Sequence, residues 1–433
     1  MFENEIITQG ERIRKYRTSI FGVKQDEVAK GVCTKIWLSQ IENNRKKLTL
    51  TLATGIAKNF NEIAKKEGIN LSSITAEELM KDEDEQANDI FTNNIIKKLK
   101  QIKEINIFDQ KLREGQELIE RYNIRDDRKI ELYKLAAHFY YYEYKYEKSE
   151  AMCELGLKIS IKAQNILHEI RFYIYKARNN MFMEKYDKAL QQLSYAEKLN
   201  IDISNSELLT MILFYRATTY KRLGDYSSAL KYFEEAKKFG IKDINMLLKV
   251  KMNYANCLND YNRLEEAEKE YNEIINIAMK HDNKNAIGRT YRNLSELYAN
   301  KKNYKLASMY IKQCLSYNPC HKDITEYIYY SAEIFRNSNE ETDIYLLKGL
   351  EICIKDGDSV LAEKIIYELA LIYIKKEDKE NLRLIVNKAK ELDIDYSLIY
   401  LEIGEYYRGR DERKSRYFSR KALEKIKNIK DIF

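Results

Sequence analysis

The side chains with the most usable chemistry in this chain are amides and guanidiniums, not nucleophiles. Asn253, Asn256, Asn259 and Asn293 each carry a donor and an acceptor on one group. Such an amide pairs with the free N–H and C=O of an extended peptide whatever the peptide's sequence. Arg171, Arg178, Arg289 and Arg292 can each hold a carboxylate through two parallel hydrogen bonds. Catalytic signatures are missing: the chain contains no GxxxxGK[ST], HExxH or GxSxG. His138, His168, His281 and His321 have no metal-ligand spacing, and none of the six cysteines falls in a CxxC. The expectation is a protein that binds rather than catalyses, with no cofactor and no metal. Its cysteines read as reduced core thiols of a cytoplasmic protein.

The elements that must position these groups are helices. One proline and 14 glycines in 433 residues leave few chain breakers. The 35 tyrosines suit packed helices, where a ring fills an inter-helix gap and its hydroxyl reaches water. No apolar run approaches the roughly 18 residues needed to cross a bilayer. The opening MFENEIITQGERI has neither a basic n-region nor an apolar h-region, which argues against secretion and against a membrane partner. The net charge of +7 is mild, but residues 1–60 hold eleven Lys/Arg against six Asp/Glu. Positive charge is therefore concentrated at the N-terminal end.

One cell recurs along the rest of the chain. In ATTYKRLGDYSSALKYFEEA, residues 217–236, Ala217 lies three before Tyr220, on one helix face. Gly224 and Asp225 break that helix, Tyr226 opens another, and Ala229 and Ala236 give it a small-residue face. The anchor recurs at Ala137, Ala177, Ala217, Ala255, Ser295, Ala332, Ala370 and Gly404, in steps of 40, 40, 38, 40, 37, 38 and 34 residues. Tyr146, Tyr186, Tyr226, Leu264 and Tyr304 stand nine residues past the first five anchors; the last three cells lose the turn signature. This pattern resembles the tetratricopeptide repeat, whose helix pairs bury their apolar faces only against neighbouring pairs. It implies an all-α chain ending in a right-handed solenoid over residues 89–433, a degenerate first repeat followed by about eight cells.

In such a solenoid the first helix of each pair lines the concave face, through offsets −6, −3, −2, +1 and +4 from the anchor. Cells two to six then present Arg171, Tyr175, Arg178, Phe214, Tyr215, Thr218, Lys249, Asn253, Asn256, Asn259, Arg289, Arg292, Asn293, Tyr329 and Tyr330. That set lines a polar groove.

Residues 1–68 form a different unit. Ile6, Ile13 and Tyr16 mark the inner face of a first helix, with Arg12, Arg14, Lys15 and Arg17 outside. Val28 and Ala29 point inward from a short second helix, and Thr34 caps Lys35–Asn43. Leu48, Leu52 and Ile56 start a longer helix ending near Gly68. The runs Gly10-Glu11-Arg12-Ile13, Gln25-Asp26-Glu27-Val28-Ala29 and Leu38-Ser39-Gln40-Ile41-Glu42-Asn43 resemble the helix-turn-helix domain of the phage-repressor/Xre class. Asn44 replaces a glycine of that pattern and is the best other residue for a left-handed turn. The resemblance implies that Thr34, Lys35, Ile36 and Gln40 face base edges in the major groove. It puts Gln25 on a phosphate, with Asn43, Arg45, Lys46 and Lys47 adding polar and positive contacts. Residues 69–88 are expected to be a linker, with a short helix in the acidic run Ser72–Glu85.

A helix-turn-helix followed by tetratricopeptide repeats is similar to the RRNPP family of peptide-pheromone receptors. The resemblance implies a quorum-sensing transcription regulator that binds a palindromic operator in double-stranded DNA as a homodimer and is controlled by a short linear signalling peptide held in that groove. Two alternatives stay open: a repeat protein that sequesters or dephosphorylates a response regulator, and a repeat scaffold with a DNA anchor and no small ligand.

Overall fold

In the computed structural model, described for residues 5–317, 331, 334–335 and 342–430, the fold is all-α. The chain divides into two compact units, residues 1–219 and 220–433.

The first unit opens with a helical bundle: α1 (Gln9–Lys15), α2 (Gln25–Ala29), α3 (Lys35–Glu42), α4 (Leu50–Lys66) and α5 (Ala76–Met80). Its core is Ile13, Val28, Leu38, Ile41, Ile56 and Phe60, joined by Ile74 and Leu79. The last two belong to residues 69–88, and the short helix expected in that segment is α5. Through Ile74 and Leu79 the segment packs onto the bundle core. The amide of Asn61 clamps the backbone of Ile74 from both sides, accepting from its N–H at 2.8 Å and donating to its carbonyl at 2.7 Å. Arg12, expected outside, is buried, and its guanidinium donates to the carbonyl of Glu78 in α5. Its position one turn before Tyr16 becomes interior because α5 covers it, a contact 66 residues away in sequence.

The rest of the segment starts α6 (Glu83–Ile90), which runs through a π-wound stretch, Phe91–Ile96, into α7 (Lys97–Leu99). With α8 (Ile105–Arg121) and α9 (Asp126–Tyr142) these elements enclose Ala87, Phe91, Ile95, Phe108, Leu112, Leu132 and Ala136. Helix pairs then follow in sequence. The first unit holds α10 (Tyr146–Lys162), α11 (Ile166–Phe182) and α12 (Tyr186–Ile203), and α13 is Ser206–Arg222. The second unit holds α14 (Tyr226–Lys238), α15 (Ile244–Asp260), α16 (Leu264–Lys280), α17 (Lys284–Asn300) and α18 (Tyr304–Ser316). It continues with α19 (Thr342–Asp356), α20 (Ser359–Lys375), α21 (Lys379–Glu391), α22 (Ser397–Tyr407) and α23 (Glu412–Lys430).

The physical basis of the repeat is visible at the anchors. Ala137, Ala177, Ala217, Ala255, Ser295 and Ala370 are all buried, as are Ala189, Ala229, Ala267 and Ala307 of the second helices. Anchor and second helix touch directly: the Ser149 hydroxyl donates to the carbonyl of Ala137 at 2.7 Å, and Ser295 donates to that of Ala307 at 2.8 Å. Each turn closes through one left-handed residue seven past the anchor: Tyr144, Glu184, Gly224, Asn262, Lys302 and Glu377. Only one of those is glycine, so the turn is imposed by helix packing and not by local propensity. The cell at Ala370 lacks the turn signature yet keeps the geometry: Glu377 is left-handed and α21 begins at Lys379, nine past the anchor. The Ala332 anchor lies outside the described residues.

Gly156 inside α10 has a packing role of the same kind. A Cβ there would sit 2.1 Å from the ring of Phe172 on α11. Gly156→Ala gains helix propensity of ~1 kcal/mol but overpacks that contact. Overpacking against a rigid ring at that distance costs up to ~3 kcal/mol, so the expected net effect is destabilisation of up to ~2 kcal/mol, measured by urea unfolding, with a stabilised variant contradicting the close approach.

Candidate functional site

Two surfaces carry the groups singled out in the sequence. The first is α3. Its N-terminus is capped by Thr34, whose hydroxyl accepts from the Trp37 N–H at 3.2 Å. Leu38 and Ile41 pin the helix to the core, which turns Lys35, Ile36 and Trp37 outward. Ile36 is 72% exposed. Gly10 of α1 lets the two helices meet, since a Cβ there would lie 2.1 Å from the Ile41 carbonyl oxygen. The C-terminal end of α3 is bolted by Glu42, which is 3% exposed. Arg17 grips Glu42 bidentately, with Nε to Oε1 at 2.6 Å and Nη2 to Oε2 at 2.9 Å. Gln25 donates to Glu42 at 2.8 Å, so the residue expected on a phosphate spends one amide hydrogen inside the bundle. Asn44 is left-handed, at φ 55°, and its amide donates to the Thr8 hydroxyl at 2.7 Å. It therefore ties the loop after α3 to the capping residue of α1.

Gln40 is half-buried, while Arg45, Lys46 and Lys47 are exposed in the loop after α3. The Lys46 ammonium lies 3.9 Å from the centre of the Trp37 ring, a cation–π contact that joins loop and helix. Lys35 pairs with Asp26 at 3.2 Å across open solvent, a weak contact easily exchanged for another partner. Asn43 donates to the Ser39 carbonyl at 2.8 Å.

The second surface is the inner face of the repeats, which falls into two parts. In the first unit, Tyr175, Arg178 and Tyr215 are buried and Arg171 is half-buried. The Arg178 guanidinium stacks 3.5 Å from the centre of the Tyr141 ring and 5.0 Å from that of Tyr175. His138 meets Tyr175 edge to face, with ring centres 4.6 Å apart. Burial, with Arg178 adding to it, holds the His138 imidazole down to about 4. Burial also pushes the Tyr175 hydroxyl up to about 12, with Arg178 pulling the other way. His138 and Tyr141 were not among the sequence candidates, which began at cell two. They occupy the same +1 and +4 offsets from Ala137, and applying the rule one cell earlier finds them.

In the second unit the structure brings Asn256 and Asn293 together. The Asn293 amide donates to Asn256 Oδ1 at 2.8 Å, and the Tyr271 hydroxyl donates to the same oxygen at 2.8 Å. Arg292 donates to Asn293 Oδ1 at 3.3 Å and pairs with Glu296 at 3.0 Å. Asn253 stays apart, donating to the Lys249 carbonyl of its own helix at 2.9 Å. Asn259 Oδ1 is buried without a partner. Lys249 and Arg289 are exposed. Tyr329 and Tyr330 lie outside the described residues. No cluster of three metal-ligating side chains occurs among the described residues, and no described helix is long and apolar enough to cross a membrane. Cys153, Cys257, Cys314 and Cys353 are buried free thiols and Cys33 is a half-buried one, while Cys320 lies outside the described residues.

This fold and these surfaces define an all-α helical-repeat protein with an N-terminal bundle of five α-helices. No family model and no curated protein matches the sequence. Among solved structures, the chain is similar in fold to a STAND signal-transduction ATPase with a tetratricopeptide repeat sensor from Pyrococcus horikoshii. The two superpose at a TM-score of 0.52 with 14% identity, covering 82% of this chain and 54% of the other. The apo quorum sensor NprR from B. thuringiensis aligns over 95% of this chain and 99% of its own, at a TM-score of 0.43 and 14% identity. A Rap protein complexed with competence and sporulation factor aligns over 78% and 97%, at 0.44 and 15%.

His138 provides a pH test of the inner face. Its folded-state pKa lies below the unfolded value, so the unfolded chain binds more protons between pH 6.5 and about 4. Stability is then full above 6.5 and is lost as pH falls through this window, at up to ~1.4 kcal/mol per pH unit. His138→Gln is expected to flatten the slope of unfolding free energy against pH in that interval. An unchanged slope contradicts the neutral, half-buried imidazole.

Proposed function

We propose that the chain is a sequence-specific DNA-binding regulator that works as a two-fold dimer and is controlled by a short linear peptide held on the inner face of its repeats. The observation that carries the reading is the outward face of α3. Ile36, 72% exposed, stands beside Lys35 and the exposed Trp37 at the capped N-terminus of a helix fixed at both ends. It is what a thymine methyl in a major groove would cover. Thr34 takes a second apolar contact, Lys35 donates to guanine O6 or N7, and Gln40 pairs with adenine N6/N7. Gln25 and Asn43 keep donors for phosphate, and Arg45, Lys46 and Lys47 supply its charge. One such helix reads only a few base pairs, so useful specificity calls for two half-sites and a symmetric dimer.

For the peptide, support comes from the amides. Asn253 Oδ1 and Asn256 Nδ2 form no hydrogen bond within the described residues, which leaves an acceptor and donors one helical turn apart for an extended backbone. Arg171, Lys249, Asn259, Arg289, Arg292 and Asn293 complete the polar set in their respective units. Tyr175 and Tyr215 supply apolar contact, and Tyr329 and Tyr330 belong to the proposal on sequence grounds alone.

The test uses a duplex enriched from random-sequence DNA by the full chain. Lys35→Ala and Gln40→Ala should each cost about 1–3 kcal/mol on that duplex and little on random DNA. Arg45→Ala should weaken both and lower the salt slope by about one. A Lys35→Ala loss of equal size on both DNAs would remove α3 from the recognition role. Light scattering with the duplex bound should give twice the chain mass plus the mass of one duplex; a monomer with and without DNA would refute the dimer.

A further inference from the structure

Arg178 is 3% exposed, and its Nε and Nη2 have no hydrogen-bond partner. It forms no ion pair among the described residues. Taking a guanidinium out of water without an anion is costly, and stacking on two tyrosine rings returns only part of that cost. Nε–H and Nη2–H lie on the same edge of the guanidinium plane, spaced to meet both oxygens of one carboxylate. This chain uses that edge elsewhere: Arg17 holds Glu42 with Nε and Nη2, Arg125 holds Asp127, and Arg263 holds Glu266 with both contacts at 2.6 Å. At Arg178 the same fork is built and desolvated beside aromatic rings, with no carboxylate among the described residues to fill it.

The surroundings suit an incoming anion. The guanidinium carbon lies 3.5 Å from the centre of the Tyr141 ring and 5.0 Å from that of Tyr175, so both rings hold the cation without using its N–H donors. His138 stands behind Tyr175. Each of these residues comes from a first helix and sits at an inward offset, as the groove residues of this unit do.

We propose that Arg178, framed by Tyr141 and Tyr175, is a carboxylate socket that anchors one end of the groove ligand. The inference rests on the reading of the inner face as a ligand site and adds what the ligand must carry. The carboxylate could be the C-terminus of a peptide or belong to a small acid, and both present the same planar pair of oxygens.

The experiment follows thermal shift of the full chain with four probes. These are a pool of heptapeptides randomised over Gly, Ala, Ser, Leu and Asn with a free C-terminus, the same pool amidated, sodium acetate, and inorganic phosphate. The wild type should half-saturate with the free-acid pool at a concentration at least tenfold below the amidated pool. In Arg178→Met that preference should fall below twofold, while the unliganded melting temperature stays level or rises because an unpaired buried cation has been removed. Arg178→Lys keeps the charge without the fork and should lose most of the preference; it carries the test if circular dichroism shows Arg178→Met unfolded. Binding of acetate but neither pool, abolished in the variants, would uphold the socket and defeat the peptide reading. Equal binding of both pools by wild type and variants would overturn the socket and leave the peptide reading standing. Tighter binding of phosphate than of either carboxylate probe, or no Arg178-dependent binding at all, would also overturn it.

Discussion

The close approach of two helices at a small residue is the constraint on which the structure depends. A helix pair of this kind cannot bury its apolar face alone, so each needs a neighbour. The pairs can nest only if the contact points carry nothing larger than alanine or serine. The buried anchors and the hydroxyl-to-carbonyl bonds from Ser149 to Ala137 and from Ser295 to Ala307 are direct records of that contact. Once the anchor is fixed, so are the turn seven residues later and the inward offsets on either side of it. The turn follows packing so closely that tyrosine, glutamate, asparagine and lysine all accept left-handed backbone there.

The same constraint places the polar groups. Offsets −2 and +1 put Tyr175 and Arg178 on one face of α11, and the corresponding +1 and +4 positions of α9 deliver His138 and Tyr141 to them. In the second unit they put Asn256 against Asn293. These inner-face contacts are of opposite character. The asparagine pair is partly satisfied from within, whereas the Arg178 fork is not. Buried polar groups are normally paired, and an unfilled fork of this kind points to something that arrives from outside.

Much of this was legible in the sequence. A small residue repeated at near-constant steps fixes where helices touch, and the helix starts at Tyr146, Tyr186, Tyr226, Leu264 and Tyr304 follow from it. Thr34 as the cap of α3 and Asn44 as a left-handed residue were both readable from side-chain chemistry. What escaped depended on contacts distant in sequence. Nothing local marks Arg12 as buried, because α5 covers it from the acidic segment that reads as a linker. Nor does periodicity tell that Asn256 finds Asn293 while Asn253 turns back to Lys249: all three occupy inward offsets, and only the placement of the next helix separates them.

The central claim is that occupancy of the repeats and binding of DNA are linked. The most direct measurement is the affinity of the full chain for its enriched duplex, by fluorescence anisotropy, with and without saturating peptide selected from a display library for binding to the chain. The account predicts a change of at least tenfold. The peptide's own affinity should change by the same factor when the duplex is saturating, because coupling between two bound ligands is reciprocal. A duplex affinity that is identical with the peptide absent and saturating would contradict it.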